Sequence, residues 1–248
     1  MKIGITERGD ASIDYSWVNK LDKVDGAIII TKNLTDKFIK TLLEQSKLHN
    51  LILHCTCTGW GNSVFEPNVP KARKQIDQLK KLIDLGFNPN NIVFRVDPII
   101  PTEAGLHRVH DVLEYFLSLN LGISRIRISV YDEYKHVKER LIQNGFTPCY
   151  DGFYANKQQL ESIIKTLKEF PLKYELCAEN ELYKLNPNLF EICGCVSLKE
   201  LKLFNLKPDT NMVENLQNRH GCHCLACKTE LLSNKCQCPH KCMYCYWR

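Results

Sequence analysis

Cys238, Cys242 and Cys245 stand in the spacing C-x3-C-x2-C close to the end of the sequence. A loop that short can wrap three thiolates around three corners of a cubane 4Fe-4S cluster, which leaves the fourth iron without a protein ligand. An open iron is what a reactive cluster needs, because a substrate or cofactor must coordinate there, whereas a fully ligated cluster mainly passes electrons. A second pattern competes for the same residues: Cys224-x2-Cys227 and Cys242-x2-Cys245 are separated by fourteen residues, close to a four-cysteine zinc ribbon. The ribbon leaves Cys236 and Cys238 unused, and the ending Cys242-Met-Tyr-Cys-Tyr-Trp is rich in aromatic rings that suit a planar cofactor. The iron reading therefore leads.

These cysteines need a scaffold, and the chain is long enough to build one: 248 residues, 44% hydrophobic and 25% charged, can bury a full core. No apolar N-terminal leader and no run of membrane-spanning length is present, so a soluble, cytoplasmic protein is expected. Thirteen cysteines without a secretion signal argue against a disulfide framework and for metal or cluster ligation. The net charge of +5 is spread along the chain and gives little support to a polyanionic partner.

Short β-rich runs alternate with amphipathic stretches from residue 2 to about residue 179, the pattern of repeated βα units around a parallel sheet. Six strands are predicted: Lys2 to Thr6, Ala27 to Thr31, Leu51 to Thr58, Ile92 to Val96, Arg125 to Val130 and Lys173 to Cys177. Pro70 and Gly86 bracket a helix marked by Ile76, Leu79, Leu82 and Ile83, and Val109 to Leu117 carries another. A third, with Leu160, Ile163, Ile164 and Leu167, is capped by Asn156. The expected architecture is an α/β fold, a partial (β/α)6 barrel of parallel strands over 1–190. A cysteine-rich segment, 191–248, packs on its rim within one structural domain. Nine of the thirteen cysteines lie between Cys193 and Cys245.

Sheets of this kind bind their ligands at the strand carboxyl ends. Arg8, Asp10, Lys32, Glu66, Asn68, Asp97 and Glu179 all follow predicted strands, and Arg95 shares a face with Asp97 if the strand runs regularly. The competing role for each is a solvated or salt-bridged surface group. Cys55 and Cys57 alternate along one strand and face one side, as packing residues. Cys149, Cys227 and Cys236 carry no assigned role.

The motif, with Tyr244 just before its third cysteine, resembles that of the radical S-adenosylmethionine superfamily. The likeness implies that S-adenosylmethionine binds the open iron and yields a 5′-deoxyadenosyl radical for hydrogen abstraction, with Tyr244 near the adenine. Further pieces are similar to the bacterial family known as domain of unknown function 1848. These are Glu7-Arg8-Gly9-Asp10, Thr31-Lys32-Asn33, Glu66-Pro67-Asn68, Phe94-Arg95-Val96-Asp97-Pro98-Ile99, Cys177-Ala178-Glu179, Cys222-His223-Cys224 and the final cysteine motif. The first piece departs from that family's usual Arg-Arg-Thr-Asp, which puts the role of Arg8 in doubt. Asp97-Pro98-Ile99-Ile100 also looks like a segment of spore photoproduct lyases, which makes a nucleobase-like substrate an expectation.

The resemblance implies a permuted barrel or a loop added from outside, since the cluster loop usually follows the first strand and here follows six βα units. Their place at the strand ends makes Asp97, Glu179, Arg8 and Asp10 candidate catalytic residues and Lys32, Asn68, Glu66 and Arg95 candidate cofactor contacts, beside Tyr244, whose role the resemblance implies. The resemblance aligns Cys177, one of Cys193 or Cys195, Cys222 and Cys224 with recurring cysteines. Cys177, Cys195, Cys222 and Cys224 are thus candidates for an auxiliary 4Fe-4S cluster, with zinc, or simple burial of Cys177, as the alternatives. Expected partners are a small-molecule or nucleobase-like substrate and an electron donor such as flavodoxin or ferredoxin. Two rival functions stand beside this one: a zinc-stabilised nucleic-acid-binding protein, and an iron-sulfur electron-transfer protein.

Overall fold

The computed structural model describes residues 1–208, 222–235 and 237–247. Eight strands form one all-parallel sheet: β1 (Ile3–Ile5), β2 (Gly26–Thr31), β3 (Leu51–Thr56), β4 (Ile92–Ile99), β5 (Arg125–Val130), β6 (Tyr174–Leu176), β7 (Phe190–Ile192) and β8 (Lys228–Glu230). Their spatial order is β7-β6-β5-β4-β3-β2-β1-β8. The first six are the predicted strands, with shifted ends: β3 stops at Thr56 and β4 runs on to Ile99. The other two were not predicted. Each is three residues long, too short for alternation to register; β7 straddles the start of the cysteine-rich segment and β8 lies within it. Among the described residues no ladder joins β7 to β8, so the barrel is partial and has an open seam.

Helices α1 (Asp36–Ser46), α2 (Ala72–Asp84), α3 (Glu103–Ser118), α4 (Lys135–Gln143), α5 (Lys157–Leu167), α6 (Asn180–Leu185) and α7 (Leu198–Leu203) occupy the connections. Gly86, at a φ of +100°, ends α2 with its N–H on Ile83 O at 2.8 Å, a left-handed turn that a side chain would strain. Asn156 caps α5 in a reciprocal box with Gln159. The outer sheet face packs on α1, α2, α3 and α5 through residues such as Phe38, Ile76, Leu113, Ile163 and Cys55. Cys55 and Cys57 both belong to this core. No helix among the described residues is long and apolar enough to cross a membrane.

The concave face is divided. Under β1 to β4 it is apolar: Ile3, Ile5, Ile28, Ile52 and Val93 meet Val196, Leu201, Phe204 and Leu225. Gly26 allows this plug, because a Cβ there would stand 2.7 Å from the Phe204 ring. Under β5 and β6 the face is ionic. Glu175 takes Arg125 Nε at 2.7 Å and Arg127 Nη2 at 2.6 Å, and Glu200 takes Arg125 Nη2 at 2.6 Å. The second oxygen of Glu200 accepts from Ser197 N at 2.8 Å, closing the capping box that starts α7. One carboxylate thereby fixes α7 to the sheet.

Burial by itself would raise the Glu175 carboxyl, but the hydrogen bonds and charges of Arg125 and Arg127 outweigh it and hold the group at about 2. A depressed pKa means stability that is present above the ordinary carboxylate value and is lost as pH falls toward the folded value. Between about pH 5 and pH 2 this group accounts for the loss of about 3 kcal/mol. Urea titrations across that range should show Glu175→Gln less stable than the parent at neutral pH and flatter in its acid dependence.

Candidate functional site

The strand carboxyl ends surround a cavity of about 590 Å³. Its floor carries Asp10, Thr31, Lys32, Thr56, Arg95, Asp97 and Ser129. Cys238, Cys242 and Cys245 line one wall, while Cys177, Cys195, Cys222 and Cys224 line another. The two cysteine sets open onto one chamber.

The C-terminal loop is held across the chamber by buried polar groups. His240, 3% exposed, joins Asp10 Oδ2 through Nε2 at 2.8 Å and Asn68 O through Nδ1 at 2.9 Å. Asn68 Nδ2 donates to Pro239 O at 2.7 Å. Asp10 also accepts from Thr31 Oγ1 and Lys32 N, both at 2.7 Å, so one carboxylate links the ends of β1 and β2 to the loop. Burial works against its charge, but His240 and these donors hold its pKa below the ordinary value.

A second anchor is Glu66, 1% exposed. Lys32 Nζ donates to it at 2.8 Å, Thr58 Oγ1 at 2.7 Å, and the Tyr244 hydroxyl donates to it as well. Lys32 Nζ also reaches the Tyr244 oxygen at 2.6 Å. Arg140 Nη1 completes the clamp on Met243 O at 2.8 Å and Cys245 O at 3.0 Å.

Within this frame burial pushes the Cys242 thiol up to about 12; Lys32 opposes the shift, while Glu66, Cys245 and Cys238 add to it. Cys238 rises to about 11, chiefly by burial, with Asp10 and Cys245 adding. All three thiols line the same cavity. A cationic metal centre would favour their thiolates.

The other set is tighter. The sulfurs of Cys177, Cys195 and Cys224 all lie within 4.8 Å of one another, with Cys177 and Cys195 at 3.4 Å, and could hold a metal. Cys222 lines the same wall. The neighbouring Cys177 and Cys195 thiols lower Cys224 to about 6, and Cys222 is lowered to about 6 as well, while Cys177 is raised. Cys193 turns the other way, into the ionic half of the concave face, where Arg127 Nη2 stands at 3.4 Å. The zinc-ribbon pairing is not what the fold assembles, because Cys224 gathers with Cys177 and Cys195.

Of the remaining candidates, Arg8, Asp10, Lys32, Arg95, Asp97 and Tyr244 line the cavity. Arg95 and Asp97 form an ion pair on its floor, and Ser129 donates to Asp97. Glu66 and Asn68 stand behind the lining and position it. Glu179 accepts from Val130 N at 2.9 Å and is not among the lining residues. Arg8 lies over the Trp247 ring at 4.7 Å. Sequence reasoning missed His240, Thr58, Arg140 and the rings of Tyr131 and Tyr134. His240 sits inside the cysteine motif and could have been singled out; the others carry no local signal. Cys236 lies outside the described residues.

Lys32→Met leaves Glu66 as a buried charge without its cation. Chemical denaturation should show a loss of about 3–5 kcal/mol. Adding Glu66→Gln should recover part of it.

No curated protein matches the chain. Residues 13–247 match the family described as "Domain of unknown function (DUF1848)", nearly the whole length. With its parallel sheet and its cysteine-lined chamber, the chain belongs to that family.

Proposed function

We propose that the chain is a radical S-adenosylmethionine enzyme in which Cys238, Cys242 and Cys245 hold a 4Fe-4S cluster by three corners. The observation that carries this reading is placement. All three thiols face one chamber at the strand carboxyl ends, together with a cation, a carboxylate and aromatic rings. A volume of about 590 Å³ falls in the range of small-ligand sites. When bound to such a cluster, S-adenosylmethionine supplies hydrogen abstraction by a 5′-deoxyadenosyl radical.

The chain's own residues do the positioning. Asp10 through His240, and Glu66 through Tyr244, aim the cysteine loop into the chamber. Arg95 and Asp97 offer a fixed cation and anion on the floor for polar parts of the ligands. Tyr131, Tyr134, Tyr246 and Trp247 line the chamber, with Tyr134 and Tyr246 stacked at 5.3 Å. These rings favour a planar, nucleobase-like substrate and exclude water from it. An electron donor such as flavodoxin or ferredoxin is the partner that this chemistry requires.

Anaerobic preparations of the Cys177→Ser/Cys195→Ser variant, which retains only the C-terminal set intact, should carry about four irons per chain. Reduction with S-adenosylmethionine present should release 5′-deoxyadenosine. Cys242→Ala should abolish both, and zinc alone in the C-terminal loop would overturn the assignment. Asp97→Ala with unchanged S-adenosylmethionine cleavage would remove Asp97 from cofactor binding.

A further inference from the structure

The open seam of the sheet lies between β7 and β8, the first and last strands in spatial order. Cys177 directly follows β6 and Cys195 lies three residues beyond β7, so both belong to one side of the seam. Cys222 and Cys224 lie six and four residues before β8, on the other side. Yet the sulfurs of Cys177, Cys195 and Cys224 converge within 4.8 Å.

The backbone is built for this meeting. Leu225 N donates to Val196 O at 2.9 Å, and Cys195 N donates to the Cys224 sulfur at 3.1 Å. A Cβ on Gly194 would stand 2.5 Å from His223 O, so only glycine lets the two segments touch here. His223 Nε2 and Asn180 Oδ1, at 3.1 Å, make a further link across the same gap.

We propose that Cys177, Cys195, Cys222 and Cys224 bind one tetrahedral zinc ion that fastens the two edges of the open sheet to each other. Zinc held by four thiolates at about 2.3 Å sets the sulfurs about 3.8 Å apart. The observed separations, 3.4 Å for Cys177 and Cys195 and at most 4.8 Å within the trio, match a single ion; Cys222 stands outside the trio on the same wall and completes the set of four by closing onto the ion. A cubane seats its thiolates on separate irons and spreads them further. The N–H of Cys195 on the Cys224 sulfur is the kind of outer contact that orients a metal thiolate. The four cysteines line the chamber wall, so the ion also sets the shape of that wall. This assignment does not depend on what the C-terminal loop binds.

Metal analysis of the full chain, purified anaerobically, tests it. About one zinc per chain is expected, with four sulfur neighbours near 2.3 Å by X-ray absorption. The variant Cys177→Ser/Cys195→Ser should lose one zinc per chain and keep the metal of the C-terminal loop, and Cys242→Ala should do the reverse. Chelating zinc from the unaltered protein needs no variant to fold. It should lower hydrogen-exchange protection about tenfold or more at Leu225 and β8, while β3 and β4 stay protected. About eight irons without zinc, a zinc content that the double variant does not lower, or unchanged protection after chelation would each overturn the proposal.

Discussion

Two buried carboxylates hold the chamber together. Asp10 and Glu66 come from the loops after β1 and β3, are 3% and 1% exposed, and reach across to the C-terminal loop through His240 and Tyr244. A buried charge is tolerated only when partners surround it, so each demands a full set of donors. Asp10 finds them in Thr31, Lys32 N, Ser12 and His240, and Glu66 in Lys32, Thr58 and Tyr244. Because the donors come from the β1, β2 and β3 ends and from the tail, satisfying the carboxylates forces those segments together.

The same logic organises the concave face. A parallel sheet of eight strands that does not close must fill its own interior, and the two halves do so differently. The β1 to β4 half takes an apolar plug from α7 and Leu225, and the β5 and β6 half takes a charge network centred on Glu175 and Glu200. Glu200 belongs to both, since it caps α7 while it pairs with Arg125. The plug thus has one orientation, which leaves the strand carboxyl ends free for the cysteine-lined chamber.

Much of this was legible in the residue order. Near-continuous apolar runs marked most of the first six strands, because strands covered on both faces by apolar groups have no polar side to show. The helix bounded by Gly86 and the one capped by Asn156 were readable from local punctuation. The β7 and β8 segments were not, since three residues carry no period and their pairing partners are remote. Polar residues after strands were recognisable as rim residues, but which of them face the chamber and which stand behind it was not. Glu66 and Glu179 look alike in sequence; one anchors Tyr244 and the other receives a backbone N–H.

By itself the sequence determined the parallel α/β scaffold and the short cysteine loop, because strand and helix periods and a spacing of three and two residues are local properties. Only the tertiary structure decided that Cys195 rather than Cys193 joins Cys177 and Cys224, and that both cysteine sets face one chamber. Those outcomes depend on which edges of the sheet approach each other and on which buried charges must be paired. Such contacts join residues more than two hundred positions apart, as Asp10 and His240 are, and no local pattern encodes them.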